Sequence, residues 1–218
     1  LGKIDYKKLG KIIFFKAVNG NNLDIKNLEK NNIKIREEWK DFMHDRGLTK
    51  GELGCALSHY SIWKDVANSN SKISYVMEDD IKFNDNFNKR LEEVVKKLEK
   101  TDWDFCFLDR KYMYGTDEEY DNELFKPAYS FWLNSYLINA KGAKKLINTD
   151  FLERIIPVDE YVPMRYYRDE KMEEIVKSRF DKEEFLKNYN HFLKYDKLNS
   201  FAVTPPLTEI RYEYNFNN

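Results

Sequence analysis

Cysteine is nearly absent from this chain: Cys55 and Cys106 are the only two in 218 residues, and each lies inside an apolar segment. Thiols in such settings read as buried free cysteines, which excludes a disulfide framework. Histidine is almost as scarce. His44, His59 and His191, without paired cysteines, give no zinc-ligand spacing. No apolar run approaches the length of a membrane span, and Leu1 opens no signal-peptide pattern. A charge excess is missing as well: the formal net charge is -1, with lysines and acids mixed along the sequence, so a nucleic-acid partner is not expected. No repeat or low-complexity linker divides the chain, and residues 1–218 are expected to form a single domain around one core.

What is present centres on Ile73 to Phe83, I-S-Y-V-M-E-D-D-I-K-F. Ile73, Tyr75, Val76 and Met77 form a short run of β-branched and aromatic residues that predicts a buried strand. Glu78, Asp79 and Asp80 follow where that strand ends. In open α/β sheets ligands gather beyond the carboxyl ends of strands. Adjacent carboxylates also raise one another's pKa unless a cation neutralises them, and an all-oxygen set suits magnesium, calcium or manganese. An acidic turn at a sheet edge is the plainer reading of an isolated E-D-D.

Other segments frame this one. Lys11 to Val18 predicts a strand closed by the turn Asn19 to Asn22. Thr49 and Glu52 form a capping box ahead of the helical spacing Leu53, Leu57, Tyr60, Trp63 and Val66. Gly54 within that helix implies that something approaches it closely. Ser58 and His59 are neighbours on the same helix and do not face each other, so they make a poor nucleophile and base. A second amphipathic helix runs from Phe87 to Leu98, and a strand from Trp103 to Leu108 delivers Asp109, Arg110 and Lys111. Arg110 suits either a diphosphate or a surface ion pair. Strands are further expected at Ser135 to Ile138 and Phe201 to Val203, a helix from Asn139 to Ile147, helical character within Arg168 to Asp196, and a tail from Tyr212. Asp159 and Glu160 sit between Pro157 and Pro163 in an apolar setting, where carboxylates are seldom idle.

Taken in order, these motifs resemble glycosyltransferase family 25, the group of lipopolysaccharide and procollagen galactosyltransferases. The matching segments are A-V-N-G at Ala17 to Gly20, L-T-K-G-E-L-G-C-A-L-S-H-Y-S-I-W-K at Leu48 to Lys64, and M-E-D-D-I-K-F at Met77 to Phe83. D-W-D at Asp102 to Asp104, R-K at Arg110 and Lys111, Y-S-F-W at Tyr129 to Trp132, P-V-D-E-Y-V-P at Pro157 to Pro163 and F-A-V at Phe201 to Val203 continue it. The later blocks lean toward the procollagen branch.

The resemblance implies an α/β fold of the GT-A type, a Rossmann-like α/β/α sandwich with a mainly parallel central sheet. It also implies inverting transfer of galactose or glucose from a UDP-sugar, with manganese or magnesium, to a hydroxyl of a collagen-like protein or a glycan. Asp80, with Glu78 and Asp79, then corresponds to the metal-binding acids, and Asp159 or Glu160 to the base. Arg110, Lys111, Trp132, Ser58 and His59 become donor or acceptor contacts. The family opens with an arginine-rich I-x-L-x-R-R-x-D-R segment where this chain has L-G-K-I-D-Y-K-K, so trimming at both ends is expected. The competing expectation is a non-catalytic domain kept for acceptor binding or homodimerisation.

Overall fold

The computed structural model describes residues 10–41, 45–169, 172 and 183–211. The chain divides into two compact units, one formed by Leu1–Phe14, Lys72–Asn139 and Asn199–Asn218, the other by Phe15–Ser71 and Ala140–Leu198.

The first unit holds the strands. They are β1 (Ser74–Met77), β2 (Ile81–Phe83), β3 (Phe105–Phe107), β4 (Lys111–Tyr114), β5 (Glu118–Glu119), β6 (Leu124–Lys126), β7 (Tyr129–Phe131), β8 (Ser135–Ile138), β9 (Ser200–Val203) and β10 (Thr208–Ile210). Six make one sheet in the order β1-β8-β3-β9-β6-β5, while β10 pairs with β2 and β4 with β7. The fold is α/β, as its sequence pattern predicts, but the sheet is mainly antiparallel and only β3 with β9 run parallel. The expectation of a mainly parallel sheet fails for a topological reason. After β3 the chain makes only short strand-to-strand links through β4 to β7, and it returns as β8 between β1 and β3, opposed to both. Parallel pairing needs a long crossover, and among the described strands only β3 and β9 are both so connected and paired; β1 and β3, linked through α3, are held apart by β8.

Helix α3 of this unit (Phe87–Leu98) places Phe87, Leu91, Val94 and Leu98 on one face. That face belongs to a core with Cys106, Leu108, Leu137, Phe201 and Leu207. Asn86 is the N-cap and takes a positive φ of 62°, a conformation asparagine tolerates, though its side chain makes no cap bond.

The second unit is helical: α1 (Ile25–Lys30), α2 (Lys50–Ala67), α4 (Ala140–Ile147), α5 (Val158–Tyr166) and α6 (Glu183–Phe192). The capping box at Thr49 and Glu52 forms in full. Trp63 is fully buried, in ring contact with Phe151 and Tyr161, and Tyr161 meets Phe192 edge-on at 4.9 Å. The acids between the two prolines lie in the first turn of α5, with Pro157 as N-cap and Pro163 inside the helix. Neither cysteine forms a disulfide; Cys106 is buried and Cys55 half-buried. No helix among the described residues is long and apolar enough to cross a membrane. The tail from Tyr212 and most of 170–182 lie outside the described residues.

Two glycines explain how the start of the second unit is held. A β-carbon on Gly54 would lie 2.5 Å from the Val18 carbonyl oxygen and 2.9 Å from the Gly20 nitrogen, and one on Gly20 would collide with the Lys50 carbonyl. The Val18 N–H donates to Ser58 Oγ at 2.8 Å. This contact replaces a ladder: 11–18 is not a strand, and Phe14 is 96% exposed. A strand-forming sequence becomes a strand only with a partner, and none of the described residues pairs with it. Gly54→Ala should therefore destabilise the chain by about 1 kcal/mol, and by about 2 kcal/mol at most. The helix-propensity gain of about 1 kcal/mol is outweighed by forcing backbone apart, an overpacking cost of about 1–3 kcal/mol. Urea denaturation measures it, and a stabilised variant would contradict the close approach.

Candidate functional site

In the first unit the acids occupy the turn between β1 and β2. Glu78 and Asp79 are exposed and Asp80 is half-buried. The turn is anchored on both sides: the Glu78 N–H donates to the Asn134 carbonyl at 2.8 Å and the Arg211 N–H to the Asp80 carbonyl at 2.7 Å. Asp80 Oδ1 is itself buried and meets no hydrogen-bond partner among the described residues. Partial burial, then the charges of Glu78 and Asp79, push the Asp80 carboxyl above its ordinary value. Such a group favours either a proton or a cation.

Beside this turn the end of β3 presents Asp109, which is 7% exposed. Its Oδ1 accepts the Arg110 N–H at 2.9 Å and its Oδ2 accepts from Asn134 Nδ2 at 3.2 Å. Burial raises its pKa, more than these bonds lower it. The Arg110 guanidinium donates to Ser130 Oγ at 2.7 Å and is ion-paired with Asp117. Asp117 also accepts the Ala128 N–H, so Arg110 ties the loop after β4 to β7. Lys111 Nζ lies 5.7 Å from the centre of the Trp132 ring, a cation–π arrangement, and Trp132 takes a φ of 74°.

In the second unit Ser58 is buried, and its hydroxyl is used by Val18 N–H and by the Gly54 carbonyl, to which it donates at 2.7 Å. His59 is buried next to the Trp63 ring. Glu160 is 4% exposed and accepts the Trp39 indole N–H at 2.7 Å, whereas Asp159 stays half-buried. Burial, reinforced by Asp41, Asp159 and Glu52 and only partly offset by Trp39, pushes the Glu160 carboxyl up to about 8.

The profile of glycosyltransferase family 25 (LPS biosynthesis protein) matches residues 6–162. The chain belongs to glycosyltransferase family 25. Among relatives of this family-25 chain, procollagen galactosyltransferase 1-A of Xenopus laevis is 40% identical over 170 residues, which is 75% of this chain and 27% of the relative. Procollagen galactosyltransferase 1-B of Xenopus laevis is 38% identical over 88% of this chain and 30% of its own length. A probable inactive glycosyltransferase 25 family member 3 of Rattus norvegicus is 38% identical over 70% of this chain and 27% of its own length. The chain thus spans under a third of each of these relatives.

Glu78, Asp79, Asp80, Arg110, Lys111 and Trp132 all fall in the first unit of the family-25 chain, and Ser58, His59, Asp159 and Glu160 in the second. Asn134 and the buried Trp39 escape a motif reading. Asn134 precedes a strand whose antiparallel direction had to be known before it could be set beside Glu78. Trp39 lies in irregular chain far from Glu160 in sequence.

Glu160 also gives the family-25 chain a pH signature. Its folded pKa of about 8 exceeds its ordinary 4.5, so the folded state holds an extra proton between those values and stability falls as pH rises through them. His191, held below its ordinary value chiefly by burial, acts with the opposite sign, losing stability as pH falls below about 6.5. Glu52 and Asp150 are lowered, and their contribution is lost only below the ordinary carboxylate range. Glu160→Gln, which keeps an acceptor for Trp39, should remove most of the decline from pH 6.5 to 8 and stabilise the chain at pH 8 by a few kcal/mol, with about 1.4 kcal/mol per pH unit as the ceiling. Denaturation midpoints at both pH values read it.

Proposed function

We propose that this chain is the catalytic part of a hexosyltransferase that moves galactose or glucose from a UDP-sugar to a hydroxyl acceptor, with residues 1–218 acting as one domain of the GT-A type. The observation that carries the reading is the acidic turn after β1, with the Asp80 Oδ1 buried and without a hydrogen-bond partner among the described residues, and its pKa raised. Hard oxygen donors of this kind fit a divalent cation, manganese or magnesium, with Asp80 as principal ligand and Glu78 and Asp79 assisting. The chemistry such a cation supplies is neutralisation of charge on the diphosphate that leaves. Lys111 and Trp132 offer a charge and an aromatic face to the substrate, while Arg110 sets the loop that carries Asp117. Ser58 and His59 take a packing role, since both are buried and the Ser58 hydroxyl is already committed.

An inverting transfer also needs a group that accepts the proton of the attacking hydroxyl. Asp159 fills that role better than Glu160. A carboxyl with a pKa of about 8 is already protonated at neutral pH, and Glu160 is engaged with Trp39. The two Xenopus relatives are named procollagen galactosyltransferases, which favours a collagen-like acceptor carrying hydroxylysine over a glycan. A non-catalytic domain, for acceptor binding or homodimerisation, is the second reading, favoured by the rat relative named as probably inactive. Incubating the chain with UDP-galactose, manganese and a hydroxylysine peptide separates them: a peptide heavier by one hexose supports transfer, and an unmodified peptide with intact donor supports the second reading.

A further inference from the structure

The registers of β1, β8 and β3 bring three residues into one row beyond their ladders. Met77 pairs with Ser135 and Phe107 with Tyr136, so Glu78, Asn134 and Asp109 come next on three adjacent strands. Asn134 bonds to both neighbours, its carbonyl accepting the Glu78 N–H and its Nδ2 donating to Asp109 Oδ2. A carboxylate can only accept, so the bond to Asp109 fixes the amide and leaves Oδ1 as the other end. Asn134 is 3% exposed, and this Oδ1 is buried with no hydrogen-bond partner among the described residues. An unmet buried acceptor is a standing cost to the fold.

The link from β7 to β8 carries a second cost. Trp132, two residues earlier, holds a φ of 74°, a left-handed conformation that a bulky side chain adopts only when its surroundings impose it. Two local penalties within 132–134, at the carboxyl ends of β1 and β3, are retained more readily by a binding role than by packing alone.

We propose that Asn134 is a donor-binding residue whose Oδ1, oriented by the bond that Nδ2 donates to Asp109, accepts a hydrogen bond from a hydroxyl of the nucleotide-sugar. This rests on the reading of the first unit as a UDP-sugar site. Ribose and hexose offer the same hydroxyl chemistry, and the choice of ligand separates them.

The test is calorimetric titration of the full chain, with manganese, against UDP and UDP-galactose, for the wild type, Asn134→Ala and Asn134→Ser, the last keeping a small donor beside Asp109 should the alanine variant fail to fold. Loss of about fivefold or more toward both ligands places the contact on the ribose. Loss toward UDP-galactose alone places it on the hexose. Wild-type affinity of a folded variant for both ligands overturns the inference and leaves the donor site standing. Absence of binding by the wild type overturns the donor site itself, and the inference with it.

Discussion

Asp80→Ala is expected to weaken manganese-supported UDP binding by about a hundredfold or more, while leaving the unfolding midpoint unchanged or slightly raised. The two halves of this result come from one cause. Asp80 sits half-buried beside Glu78 and Asp79, its Oδ1 without a hydrogen-bond partner among the described residues, so without a cation it is a source of repulsion and of desolvation cost. Removing it relieves both. On the proposed reading the same carboxylate would be a ligand once a cation and a diphosphate are present, and losing one charged ligand of a hard ion costs several kcal/mol, at about 1.4 kcal/mol for each tenfold. Calorimetry with UDP in the presence of manganese, beside thermal unfolding in its absence, reads the two halves separately. A variant that loses stability but keeps its affinity would make Asp80 a structural residue of the turn.

Asp159→Asn is expected to lower the rate of hexose transfer by about 10²- to 10⁴-fold, the range that a positioned base contributes, with donor affinity unchanged. Glu160→Gln should leave transfer close to that of the wild type, because Glu160 is protonated at neutral pH and the amide still accepts from Trp39. The pair distinguishes two neighbours that the sequence presents as equals. Both lie in the first turn of α5, where the helix dipole favours acids, yet only Glu160 is inside. Turnover lost with Glu160→Gln and kept with Asp159→Asn would reverse the assignment.

That pair also shows where the sequence is legible and where it stops. The strand Ser74–Met77 ending on E-D-D, the capping box at Thr49 and the apolar face of α3 follow from local chemistry, whereas Gly54 signals a close approach without naming Val18 and Gly20, the distant residues that make it. Direction and burial are decided elsewhere. The sheet is antiparallel because β8 returns between β1 and β3, and no residue of S-Y-L-I announces that. Lys11 to Val18 has a strand composition but no ladder, and Ser58, which its motif presents as a site residue, spends its hydroxyl on the Val18 N–H that a ladder would have taken. Glu160 and Asn134 acquire their character from Trp39 and Asp109, partners 121 and 25 residues away in sequence.

The measurement that bears most directly on the central claim is calorimetric titration of the purified chain with UDP, with and without manganese. The account predicts binding that requires manganese and is lost when the cation is chelated. Equal binding in both conditions, or none in either, would contradict a metal-dependent UDP-sugar site at Glu78, Asp79 and Asp80.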